Sequence, residues 1–184
     1  MTVLEWVAAL ASALGVWLTG RRKVLCWPVL VVASILYGVV FIQAALYADA
    51  ALQAVFVVLS AYGWWQWLTG TQTSDGVPAV VRPVAIRLWQ HMGLTALAGV
   101  GLAFILRAWT DDPMPAADAL LSAYSILAQF WGARRYRQSW LLWMAVDGCY
   151  TLLFVERGLW VTAALYAAFV GLAARGWHQW RQGG

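Results

Sequence analysis

The sequence predicts an all-α integral membrane protein with seven transmembrane helices, arranged as two parallel three-helix repeats joined by one linker helix. Three observations lead there. Of the 184 residues, 63% are hydrophobic and 11% charged, against about 25% charged in soluble domains; the mean hydropathy is +0.69. The second half repeats the first at a constant offset of 113 residues: Trp27 to Trp67 overlies Trp140 to Trp180 without gaps, and 16 of 41 positions are identical. The basic residues gather in alternate connections between apolar runs, where they set orientation in a bilayer and give no reason to expect a nucleic-acid partner.

A helix crossing the hydrocarbon core needs about 20 mostly apolar residues. The first span is Val3–Leu18, short but followed at once by Arg21, Arg22 and Lys23, whose long side chains reach back to the headgroups. It has no basic segment before it and no small-residue cleavage motif after it, so it is expected to be a span and not a removable signal peptide. The second and third spans are Val24–Gln43 and Leu46–Leu68, completing a first unit over residues 3–68. Residues 69–87 form the one long polar stretch, a linker in which Gly70, Gly76, Pro78 and Pro83 break any helix. Leu88–Trp109 is the linker helix. The second unit, residues 114–180, holds the spans Ala117–Gly132, Ser139–Val155 and Leu159–Trp177. Residues 1–184 are thus read as a single membrane domain.

Three spans reverse the chain direction and a fourth restores it, so the two units are expected to point the same way about an axis along the membrane normal. With the N-terminus outside and the C-terminus cytoplasmic, the basic clusters at 21–23, 82–87, 134–137 and 175–181 all face the cytoplasm. Only Arg107 and Arg157 face outward, as the positive-inside tendency requires. Glu5, Asp49, Asp111, Asp112, Asp118 and Glu156 then lie outside.

Trp27, Trp64, Trp67, Trp109, Trp131, Trp140, Trp160, Trp177 and Trp180 fall near span ends, where indole rings favour the headgroup level. Trp143 lies within the sixth span instead. Cys26 and Cys149 do not correspond under the repeat and are expected to be small buried apolar residues. Gly15, Gly38, Gly63, Gly148 and Gly171 are placed to let helices approach closely. Enzyme signatures are missing: His91 and His178 are the two histidines, in no HExxH pattern, and there is no G-x-S-x-G, Walker or dinucleotide motif. The single lysine, Lys23, lies in a connection, which excludes a retinal Schiff base within a helix. No cofactor and no metal site are expected.

Asp147 is the sharpest single residue. It sits near the middle of the sixth span, where an ionised side chain costs at least about 2.5–3.5 kcal/mol unless it is paired or wet. Trp143, Asp147 and Tyr150 fall at i, i+4 and i+7 on one helical face, and an aromatic plane, a carboxylate and a phenol together suit a flat cationic ring bearing hydroxyl groups. In the first unit Gln53, Ser60, Trp64 and Trp67 share a stripe at i, i+7, i+11 and i+14. The repeat maps Gln53 onto Tyr166, Ser60 onto Ala173 and Tyr37 onto Tyr150. Tyr62 is expected at the cytoplasmic interface.

The segments Gln53-Ala-Val-Phe, Ala61-Tyr62-Gly63-Trp64-Trp65-Gln66-Trp67, Trp140-Leu-Leu-Trp143 with Asp147, Gly158-Leu-Trp160 and Leu165-Tyr166 together resemble the PnuC vitamin transporters. The resemblance implies a seven-helix core like that of a SWEET sugar transporter, with one site between the bundles. It implies a bacterial inner-membrane protein that takes up nicotinamide riboside, or thiamine, by facilitated diffusion with trapping by a cytoplasmic kinase. Gln53 matches a family glutamine and Trp143 a tryptophan beside the substrate ring, whereas Asp147 and Ser60 stand where nicotinamide-riboside members tend to carry asparagine. A carboxylate favours a cationic vitamin over neutral riboflavin. The expected partners are that small molecule, the lipid bilayer and, if the protein associates, further copies of itself.

Overall fold

The computed structural model describes residues 3–43, 47–109, 114–156 and 158–182. Leu46, expected to begin the third span, and Asp111, Asp112 and Arg157, expected on the outside, lie outside them. The described residues form seven helices: α1 (Val3–Gly20), α2 (Cys26–Gln43), α3 (Tyr47–Thr69), α4 (Ala85–Trp109), α5 (Pro115–Ala133), α6 (Ser139–Glu156) and α7 (Trp160–Gln182). The offset of 113 carries α2 onto α6 and α3 onto α7 residue for residue, and α1 onto α5 apart from one residue at its start. The main departures from the expected bounds are at the basic ends. α4 begins at Ala85, because no helix breaker follows Pro83, and α7 continues past Trp177 to Gln182.

α1, α2 and α4 are long and apolar enough to cross a membrane on length and composition alone. The other four do not meet that test, because they hold Gln53 and Ser60, Gln129, Asp147, and Arg175 with His178. Polar side chains in a spanning helix turn toward protein or a wet path. The packing is consistent with this. α1 packs on α2, α2 on α3, α3 on α5, α5 on α6, α6 on α7, and α7 back on α1, so six helices close a ring. α4 stands outside it, packed on α5 and tied there by Trp131, whose Nε1–H donates to His91 Nδ1 at 3.0 Å. The two seams between units, α3 on α5 and α7 on α1, are exchanged by the repeat.

Four tryptophans close both seams. Trp27, Trp67, Trp140 and Trp180 are each no more than 3% exposed. Trp67 donates its indole N–H to the Gly132 carbonyl at 3.3 Å, and Trp180 donates to the Thr19 and Gly20 carbonyls at 3.2 and 3.1 Å. Gly132 and Thr19 are repeat partners. The third helix of each unit therefore reaches the last turn of the other unit's first helix, where the Thr19 and Gly132 carbonyls also accept from the backbone N–H of Arg22 and Arg135. Trp27 stands edge-on to Trp67 at 5.2 Å and Trp140 edge-on to Trp180 at 5.5 Å, while Trp67 and Trp180 meet at 5.9 Å. Gly63 and Gly176 make the room, since a Cβ at either would strike the Trp27 or Trp140 ring.

This corrects the reading of these four residues, and of buried Trp131, as headgroup anchors. Nearness to a span end says nothing about which way a ring points, and these rings point inward. Trp64 and Trp160 are exposed, as that reading requires. Two smaller expectations also change. Cys26 is buried in the tryptophan cluster, but Cys149 is exposed on α6. Gly15, Gly38 and Gly63 do face neighbouring side chains, whereas nothing lies within 4 Å of a Cβ built at Gly148 or Gly171.

Gly63→Ala forces a methyl group into the Trp27 ring and should cost about 1–3 kcal/mol. Thermal melting of the purified protein checks this: a clear drop for Gly63→Ala, with Gly171→Ala unchanged or slightly raised.

Candidate functional site

α6 presents Trp143, Asp147 and Tyr150 on one face. Asp147 is 6% exposed, and among the described residues no side chain donates a hydrogen bond to its carboxylate and no cation lies beside it. One turn away, Trp143 sits where the two apolar clusters of the interior meet. Its ring lies 6.5 Å from Phe56 of α3, tilted at 48°. α3 and α6 do not pack backbone to backbone, so this aromatic pair reaches across the inside of the ring. The carboxylate beside it faces the same interior.

The half of α6 and α7 away from the basic end is aromatic. Tyr150 stacks on Phe154 at 6.0 Å and lies 5.1 Å from Tyr166, which also meets Phe154 and Phe169. Tyr37 stacks on Phe41 in the same way at 5.9 Å. Ser122 of α5 is within hydrogen-bonding reach of the Tyr150 hydroxyl, and Asp147 is within electrostatic reach of both Tyr150 and Tyr166. Trp143, Asp147, Tyr150 and Tyr166 thus share one neighbourhood. Ser60 is fully buried at the α3–α5 seam, where its hydroxyl accepts from Gln129 Nε2 at 3.1 Å. Gln53 packs beside Gly38 on the α2–α3 side of the first unit. Trp64, exposed to 40%, leaves the stripe that the helical spacing assigned it with Gln53, Ser60 and Trp67.

Two residues of this interior were not singled out in the sequence. Phe56 was visible as an identity within the repeat, but nothing in one dimension sets it opposite Trp143. Gln129 is a lone amide in an apolar span, a signal equal to that of Gln53; its repeat partner is Val16, so the duplication does not flag it. At the basic end, Tyr62 stacks on Phe130 at 6.2 Å and accepts hydrogen bonds from Gln66 Nε2 and Arg134 Nη1, so it belongs to the seam between units. That bond from Arg134, beyond the end of α5, holds the guanidinium pKa above its usual value, while burial and then the Arg134 charge lower that of Arg135.

Two apolar grooves among the described residues lie elsewhere. One of about 430 Å³ is formed by Trp6 of α1 with Trp160, Val161, Ala164 and Leu165 of α7, and one of about 260 Å³ lies between α4 and α5. Neither includes Asp147. Among the described residues no group of His, Cys, Asp and Glu is arranged to hold a metal ion.

A family model described as nicotinamide mononucleotide transporter matches residues 2–182. The chain belongs to that family. It is a multi-pass membrane protein of the transporter class. Among relatives, it is 22% identical to the nicotinamide riboside transporter PnuC of Escherichia coli (strain K12), over 96% of this chain and 84% of that protein. It is 29% identical to the riboflavin/roseoflavin transporter RibM of Streptomyces davaonensis, over 87% of this chain and 76% of that one. Among solved structures, the crystal structure of the vitamin B3 transporter PnuC superposes with a TM-score of 0.79 at 20% identity, covering 97% of this chain and 80% of that chain. The seven-helix fold is therefore the fold of that structure.

Gln129→Leu strands the fully buried Ser60 hydroxyl and should cost about 1–3 kcal/mol, most of which Ser60→Ala added to it recovers. A double-mutant cycle by melting measures the coupling, and additive losses would remove the bond from the account.

Proposed function

We propose that this protein takes up nicotinamide riboside across the bacterial inner membrane by facilitated diffusion, with the N-terminus outside, the C-terminus cytoplasmic, and a kinase trapping the product. The observation that carries the reading is Asp147: a buried carboxylate without a protein partner among the described residues, one turn from an indole that meets Phe56 across the ring. A carboxylate in that setting is stabilised by an incoming cation, and a pyridinium ring supplies the charge together with a flat face for Trp143. In this reading Tyr150 and Tyr166, beside Asp147, would meet the amide and ribose hydroxyls, with Gln53 and Ser60 of the first unit as further candidates. The names of the relatives support the substrate class.

Alternating access follows from the symmetry. The ring order runs through one unit and then the other in the same rotational sense, which supports parallel units related by an axis along the membrane normal. Each unit can then rock as a body while the seams on either side of the axis open in turn. Nothing in this scheme makes or breaks a covalent bond. Thiamine, also a cation with flat rings, is the second reading, since the carboxylate does not separate the two.

Liposomes holding only the purified chain should accumulate labelled nicotinamide riboside down its gradient, and Asp147→Ala should reduce that uptake at least about tenfold with expression and melting unchanged. Thiamine uptake without riboside uptake would move the substrate to the second reading, and preference for riboflavin would remove the cation argument. Binding without flux would make the chain a subunit of a larger transporter.

A further inference from the structure

Arg22 and Arg135 are repeat partners, and among the described residues they are the two non-glycine positions with positive φ, at 54° and 62°. Each ends its helix with the same pair of bonds. Arg22 N–H donates to the Thr19 carbonyl at 2.9 Å and Lys23 N–H to Leu18 at 3.1 Å; Arg135 N–H donates to Gly132 at 3.0 Å and Tyr136 N–H to Trp131 at 2.9 Å. Glycine is the residue that suits the left-handed position of this motif, and a side chain is disfavoured there. Arginine stands at both copies, and in both its guanidinium reaches the same segment.

That segment is the connection from α3 to α4. It is folded as a short hairpin: Ala79 N–H donates to the Thr71 carbonyl at 3.0 Å, Thr73 bonds to Val77, and Gly76 turns with φ 68°. Arg135 Nη1 donates to the Thr71 carbonyl at 2.7 Å, and Val81 N–H donates back to the Arg135 carbonyl at 3.0 Å. Arg22 Nη1 reaches the Pro78 carbonyl at 3.4 Å, a much longer contact. Gly70 abuts the Arg135 guanidinium so closely that a Cβ there would collide with it. The helices these arginines terminate, α1 and α5, belong to different units and do not pack on each other.

We infer that the 71–81 hairpin is a latch joining the two units at the basic end of the ring, fastened to α5 by the two bonds of Arg135 and reached from the end of α1 by the longer contact of Arg22. Parting of the units at this end requires the α1 side to let go while the hairpin stays with α5. The latch acts on the rocking motion proposed above. Its test uses no substrate, so it can fail while the transport reading stands, and the reverse.

Cys26, buried in the tryptophan cluster at this end, is a native reporter of opening. In purified full-length protein with the exposed Cys149 replaced (Cys149→Ser), the rate of Cys26 alkylation by N-ethylmaleimide is measured. Arg135→Gly keeps the backbone conformation but removes the charge-assisted bond, and should raise the rate about tenfold. Arg22→Gly should raise it less, and Arg21→Gly should leave it unchanged, because Arg21 lies over Trp17 instead. Gly70→Ala, whose methyl group meets the Arg135 guanidinium and also the Gln66 carbonyl, should match Arg135→Gly, and Arg135→Leu, which loses the bond without touching α3, decides the matter if either does not fold. Unchanged alkylation in Gly70→Ala and Arg135→Gly at preserved melting temperature overturns the latch. An equal rise in Arg21→Gly overturns it too, since the effect would then be general loosening.

Discussion

Two indole N–H groups, crossed between the halves of a duplicated chain, hold this fold together. Trp67 and Trp180 each reach over the seam to a carbonyl at the end of the other unit's first helix. In a membrane the hydrophobic effect does little to press helices together, because lipid tails are as apolar as the helices themselves. Close packing and buried hydrogen bonds must do so instead. The four-tryptophan cluster supplies both, and Gly63 and Gly176 are the absent side chains that let it form. Each aromatic pair adds about 0.5–1.5 kcal/mol beyond its burial. Each unit ends its first helix with its own backbone bonds, and the indoles add a second donor to those ends from across the seam.

The crossed indoles at one end leave the middle of the ring to different chemistry. There the units differ: the repeat sets Asp147 opposite Ser34 and Trp143 opposite Leu30. The duplicated tryptophans and glycines build the frame, while the interior joins diverged residues, Trp143 and Asp147, to repeated ones, Phe56 and Tyr150. A buried carboxylate destabilises an empty site, so its presence is best explained by what enters. The folded connection between α3 and α4 fits the same division, since the repeated arginines grip a segment that occurs once.

Much of this was legible in the chain. The apolar runs gave the bounds of α2, α3 and α6 to within two residues, whereas α7 continues five residues past the expected Trp177, to the end that the repeat assigns it from α3. Asp147 was legible because a charge in an apolar span is conspicuous. The tryptophans were not. A ring one turn from a span end can serve the headgroups or the interior, and only the ring of helices decides which. Ser60 was read on a stripe with Gln53, and only the fold sets Gln129 beside it, 69 positions away. The linker read as a string of helix breakers, which it is; its hairpin depends on two arginines from distant helices.

The central claim is that a cationic ring binds inside the helix ring, between the indole of Trp143 and Phe56, with its charge toward Asp147. A cryo-electron microscopy structure of the protein with nicotinamide riboside tests it most directly. The account predicts density for the pyridinium ring beside Trp143, within contact distance of the Asp147 carboxylate. Density in the outer groove between Trp6 and Trp160, with the interior filled by side chains, would contradict it.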